Sequence, residues 1–517
     1  MDTHSRMVSD MNGRIGSALW GSLSVWLMVL VVTASAFAAD PALDDYNLAV
    51  QLYRQNRWKL AGEGFQKFLV DYPDHEKKPY AQLYLGLTLV NQSDFKKARE
   101  HLRTFVKDAP NNQNVAQARY RIGECSYLLN DLAAARTELE TYLDKHPEDA
   151  FADRALPYLG DVQLRQNEPE AAVATFQKAI DRFPEGPLID DARYGLAKAY
   201  DVLKKPNEAL PLYQQIAKGQ GVRAAESQFQ IGSHLFDTAK FVEAAAAYRQ
   251  VWDRFPESAL VMDARLNAGF ALYRGGRFQE AASAFDPVTA DKSRGVTAGY
   301  WRGMSLKAAG NPQVATDVLA KTIPLAEMQP LEQAIIFQHG VCARLAGDTA
   351  AAETSFLTVV KKFPNGDYAD DALHFATELA IDAGQFDVAN ARRKQFAETF
   401  PQSGLRLYQE LLAGRIALGL ASQLIAQGRP AEDIAAQYDI AARSFERVLT
   451  ETMLARTKLQ ARYYLALTRQ LQGDHRGTLE LLKPVIAEIP AEGNHELADG
   501  LVLQADSLGQ TDQCADA

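Results

Sequence analysis

Nine histidines and three cysteines are the side chains of this 517-residue sequence best equipped for chemistry, and their spacing decides what they can do. A protein metal site draws several ligands into one coordination sphere, and short-range pairs of Cys or His are its usual sequence mark. His75, His101 and His146 stand at unrelated positions and His374 stands alone, so no metal site is expected. Cys125, Cys342 and Cys514 are an odd set and offer no disulfide framework. Glu398 and Asp382 lack a spacing that would pair them as a carboxylate dyad. There is no glycine loop to cradle a phosphate and no nucleophile elbow. Neither an enzyme nor a cofactor is expected, which leaves the chemistry of binding.

Binding residues recur at fixed intervals. Tyr46, Leu83, Tyr120, Pro157, Tyr194, Phe229, Leu266, Tyr300, Phe337, His374 and Tyr463 form one column, and seven of these eleven are Phe or Tyr. Carboxylates gather beside its middle members, at Asp191, Asp201, Glu226, Asp237 and Asp263. Asp191, Glu226 and Asp263 also fall near expected helix starts, where an acid complements the helix dipole.

The elements that carry this column are helical and repeated. DRFPEG at Asp181–Gly186 returns as DRFPES at Asp253–Ser258, and prolines at Pro73, Pro110, Pro147 and Pro184 are each 37 residues apart. Three residues after each member of the column comes a small anchor, Ala49, Gly86, Gly123, Gly160, Ala197, Gly232, Gly269, Gly303, Gly340, Thr377 and Ala466. Twelve residues beyond each anchor, from Ala61 to Thr478, the residue is alanine in ten cases of eleven. Four residues further a large side chain usually follows, as Phe65, Leu102, Phe176 and Phe285 show, on the same helical face as the alanine. Two short helices whose axes approach through small residues satisfy this pattern. Asn56, Asn130, Asn167, Gly276, Gly310, Gly347, Gly384 and Gly473 stand seven residues after an anchor and suit a left-handed residue ending the first helix. The prolines end the second. Cys125 and Cys342 each lie two residues after an anchor, six repeats apart, as core positions that cannot reach one another.

These columns resemble the tetratricopeptide repeat, a helix–turn–helix unit of about 34 residues. The best single match is FPESALVMDARLNAGFALYRGGRFQEAASAF, Phe255 to Phe285, and the resemblance runs from about Leu43 to Pro490. It implies an all-α fold, a right-handed superhelical solenoid of about 11–12 repeats. The expected organisation is ten tandem repeats over 42–403, an irregular long helical pair over 404–452, a further repeat over 459–490, and a capping helix and tail over 491–517. The resemblance also implies that the aromatic column faces a concave groove. Tyr120, Tyr194, Phe229, Tyr300 and Phe337, with Asp201 and Asp237, are then the expected partner-binding residues. A second reading of the same column, packing against the neighbouring repeat, stands beside it. The F-P-x-S phrase and the D-A pairs Asp191-Ala192, Asp263-Ala264 and Asp371-Ala372 are similar to bacterial envelope members of the family. The lysine-and-asparagine clamp of chaperone-tail-binding relatives is missing, since Val50, Leu87 and Glu124 occupy the asparagine column.

The ends and the charge bound the setting. Arg6 and Arg14 precede an uncharged run, Ile15 to Ala39, and Ala36-Phe37-Ala38 offers the small residues of a signal-peptidase site. Residues 1–38 therefore read as a cleaved secretory signal, placing the mature chain in the periplasm or outside the cell. The alternative is an uncleaved inner-membrane anchor over Ile15–Ala39, the one segment through which membrane association is expected. A net charge of −10 disfavours nucleic acid as a partner. The expectation is a non-catalytic scaffold binding proteins or peptides; the alternative is an anchored spacer or an accessory subunit of an envelope assembly, export or cell-division machine.

Overall fold

The computed structural model describes residues 40–488 and 498–511. The signal reading of 1–38, Cys514, and the parts of 491–517 on either side of 498–511 lie outside the described residues. Those described are helical, with no strand among them. The chain divides into two compact units, Met1–Thr238 and Ala239–Ala517. Among the described residues no helix is long and apolar enough to cross a membrane.

The first unit holds five helix pairs, beginning with Pro41–Arg54 and Trp58–Asp71, and ends in the helix Val222–Asp237. The second opens with Phe241–Arg254 and continues through six further pairs to a last helix, Asp499–Gln510. Three-residue turns fold most pairs back on themselves. The turn residue that stands seven positions after the anchor is left-handed wherever asparagine or glycine marked it, from Asn56 (φ 60°) to Gly473 (φ 84°). Ser93, Lys204 and Ala239 adopt the same conformation without either residue type, because the turn demands it. Second helices start on caps readable in the sequence. Asp94, Asp131 and Asp348 each accept a backbone N–H three residues on, at 3.0–3.3 Å. Pro169, Pro206 and Pro312 take the first helical position instead.

The small columns are where the helices close on each other. Every alanine of the second column, Ala61 through Ala389, is 0% exposed, so this column is the seam of each pair. At Gly269 an added Cβ would lie 2.5 Å from the Phe285 ring, a separation no side chain tolerates. Gly414 meets Phe445 in the same way. It lies 37 residues after Thr377, so it is the anchor of the eleventh repeat. The extra residues of that repeat extend both helices to 21 residues, Arg406–Ala426 and Ala431–Glu451. Cys125 and Cys342 are free thiols buried in the first and second unit respectively.

Within each unit the first helices of successive repeats approach one another more closely than the second helices do. Each array therefore curves toward its first-helix side, which becomes the inner face.

Candidate functional site

Members of the expected column differ in where the structure places them. Tyr120 is 0% exposed, stacked 4.8 Å from Phe151, with its hydroxyl donating to Glu124 at 2.8 Å. Phe337 is 6% exposed, 4.8 Å from Tyr368 and 5.8 Å from Phe356. Both are core residues, not groove anchors. Tyr194 is half-buried, edge-on to Tyr213 at 5.6 Å with the Arg223 guanidinium 5.0 Å over its ring. Tyr300 is half-buried against Trp301, and Phe229 is half-buried. Two residues before the anchor is a second position, about 160° from it around the helix.

That second position, together with the one four residues after the anchor, builds the inner face. Residue four after an anchor meets residue two before the next anchor, repeat after repeat. Tyr53 meets Tyr84 at 5.1 Å, and Tyr127 stacks on Tyr158 at 4.7 Å. Tyr273 meets Trp301 at 5.2 Å, Lys307 donates to Gln338 at 2.6 Å, and Arg344 lies 5.1 Å over Phe375.

The expected acidic strip is largely neutralised from within. Arg223 pairs with Asp191 at 2.7 Å and with Glu226 at 2.5 Å, and Arg294 pairs with Asp263 at 2.5 Å. Asp201 accepts from the Tyr213 hydroxyl at 2.7 Å and faces His234 Nε2 at 2.8 Å. These carboxylates tie helices together and are not displayed as a strip. Asp237 is exposed, at the end of its helix.

Within the second unit the face deepens into a cup of about 530 Å³. Arg344, His374, Phe375, Tyr408, Arg415 and Tyr464 line it, with Glu378, Leu454, Arg456 and Gln460 at its edges. Arg344 is braced by Glu378 at 2.9 Å and Arg415 by Asp382 at 2.9 Å, while Arg415 also lies 5.7 Å over the Tyr464 ring. Gln409 donates to His374 Nδ1 at 3.1 Å, which leaves the ring proton on Nε2, facing Glu378 at 3.8 Å. Burial holds the His374 pKa below the ordinary histidine value, outweighing Glu378, so the ring is neutral at pH 7. Fixed guanidinium planes beside aromatic faces can clamp carboxylates and stack on rings. Among the described residues no cluster of three His, Cys, Asp or Glu could hold a metal. His374 thus belongs to the column expected to face the groove, while nothing in the spacing marks Arg344 or Arg415 as part of a site.

Stacked helix pairs with a ridge of polar and aromatic side chains along one face define a helical-repeat binding protein. Three family models match, described as tetratricopeptide repeat-like domain at 34–194, tetratricopeptide repeat at 229–295 and 266–330, and tetratricopeptide repeat at 334–366. Together they take in more than half of the chain, which belongs to the tetratricopeptide-repeat proteins, a family of protein–protein interaction scaffolds. No curated protein matches it in sequence. Among solved structures, yeast Tom70 is similar at 16% identity and a TM-score of 0.32, over 91% of this chain and 96% of that one. A tetratricopeptide repeat protein from Parabacteroides merdae is similar at 15% identity and a TM-score of 0.32, over 50% of this chain and 96% of that one.

Proposed function

We propose that this protein is a non-catalytic scaffold of the bacterial periplasm or cell envelope, and that it grips partner proteins on the inner face of its second unit. The observation that carries this reading is the cup of about 530 Å³ at Arg344, His374, Phe375, Arg415 and Tyr464. Its volume lies in the range of binding sites, and aromatic and arginine anchors dominate the energetics of protein recognition. The envelope setting rests on Ala36-Phe37-Ala38 and on the F-P-x-S and D-A phrases. An anchored spacer is the competing reading, carried by the uncharged run Ile15–Ala39.

A photo-crosslinking residue at Gln460 tests the grip, with one at Lys394 on a second helix as control. Specific adducts are expected at 460 and not at 394, and Tyr408→Ser with Arg456→Glu should abolish them. Equal adducts at both positions, or none at either, would sink the proposal. Sequencing the purified N-terminus checks the setting, with a chain beginning just after Ala38 expected.

A further inference from the structure

The curvature that brings first helices together spreads the second helices apart, and in the first unit the spread opens a second cavity. It measures about 440 Å³ and lies between the second helices of repeats two and three, Phe95–Asp108 and Leu132–Lys145. Val106 and Ile122 give it an apolar floor. Arg103, Lys107, Arg119 and Glu138 supply the charge. Glu138 is already engaged, by Arg103 and by the Ser126 hydroxyl at 2.5 Å. Lys107 and Arg119 form no ion pair among the described residues, and the Arg119 Nε is buried with no hydrogen-bond partner. His146 Nε2, nearby, is likewise buried and unpartnered. Burial and the Arg119 charge both hold that histidine neutral.

Two uncompensated cations over an apolar floor ask for an anion with an apolar body. A guanidinium and an ammonium both give charge-assisted hydrogen bonds to a carboxylate. The volume fits a small molecule of a dozen or so heavy atoms, within the roughly 300–1,000 Å³ of ligand pockets. The chain's overall negative charge opposes this weakly, because charges beyond about 8–10 Å are screened. We infer that this cavity is a binding site for a small organic carboxylate with an apolar or aromatic body, held by Arg119 and Lys107. It is separate from the inner-face cup and does not depend on the scaffold reading.

Calorimetry on the full chain with 2-naphthoate, against its neutral analogue 2-naphthamide, tests the assignment. The acid should bind at least about tenfold more tightly than the amide. Arg119→Gln should weaken the acid about tenfold and leave the amide unchanged. Lys107→Gln, at an exposed position where folding is not at stake, should act in the same direction, and Arg415→Gln in the inner cup should change nothing. Equal binding of acid and amide would overturn the inference. So would loss of binding with Arg415→Gln but not with Arg119→Gln or Lys107→Gln, or no measurable binding at millimolar ligand.

Discussion

Lys204 sits at φ 58° in a turn where equivalent positions carry Asn130, Asn167 or Gly276. A left-handed backbone costs an ordinary L-residue about 1–2 kcal/mol, while glycine gives back about 0.5–1 kcal/mol through its freer unfolded chain. Lys204→Gly should therefore stabilise the protein by about 0.5–1 kcal/mol, read as a higher melting temperature. A melt that is unchanged or lower would show that the turn is not strained. At this scale the sequence was informative where residue type is forced by backbone geometry. It was silent at Ser93, Lys204 and Ala239, where stacking imposes the turn on residues that do not favour it. Tyr120 and Phe337 of the aromatic column are core for a related reason. Seven tyrosines and phenylalanines mark a column as apolar, but residue type alone does not say whether the ring packs inward or faces solvent.

Between helices the controlling quantity is the distance of closest approach. The Gly269 backbone lies against the Phe285 ring so closely that even a methyl group would stand 2.5 Å from it. Gly269→Leu should destabilise by about 1–3 kcal/mol, since overpacking pushes two helices apart. Thermal melting checks this, and a variant that melts like wild type would mean the two helices do not pack as described. The small-anchor pattern could be read this far because one close contact is repeated in every pair. It was lost at Gly414, where the long helices Arg406–Ala426 and Ala431–Glu451 carry the partner Phe445 further down the chain. The 37-residue step from Thr377 was still there to be counted.

Across the whole chain, burial leaves a pH signature. His101, His146, His339 and His374 all have pKa values lowered from 6.5, with burial as the first cause in each. For a base depressed in the folded state, the unfolded chain takes up its proton first as pH falls. Their neutral burial costs nothing above pH 6.5 and costs stability progressively below it, until each folded pKa is reached. Carboxylates held low by a paired cation, such as Asp45 beside Lys67, titrate at lower pH and do not mask this window. The melting temperature should fall between pH 7.5 and pH 5.5. Replacing His101, His339 and His374 by Gln should flatten that fall, and an unchanged slope in the triple variant would refute the assignment.

Local sequence determined the helix pairs, their turns, their caps and their seam, because each is set within one 34–37-residue unit by sterics and backbone hydrogen bonding. The class of protein followed from repetition of that unit. Tertiary structure alone decided which side chains are displayed. Whether Tyr120 is an anchor or a core residue depends on Phe151 in the next repeat, and whether Asp191 is a binding charge depends on Arg223. The inner cup needs Arg344, His374 and Arg415 from three successive repeats, and the outer cavity needs second helices spread by curvature. Those relations arise between units, where spacing along the chain no longer measures distance in space.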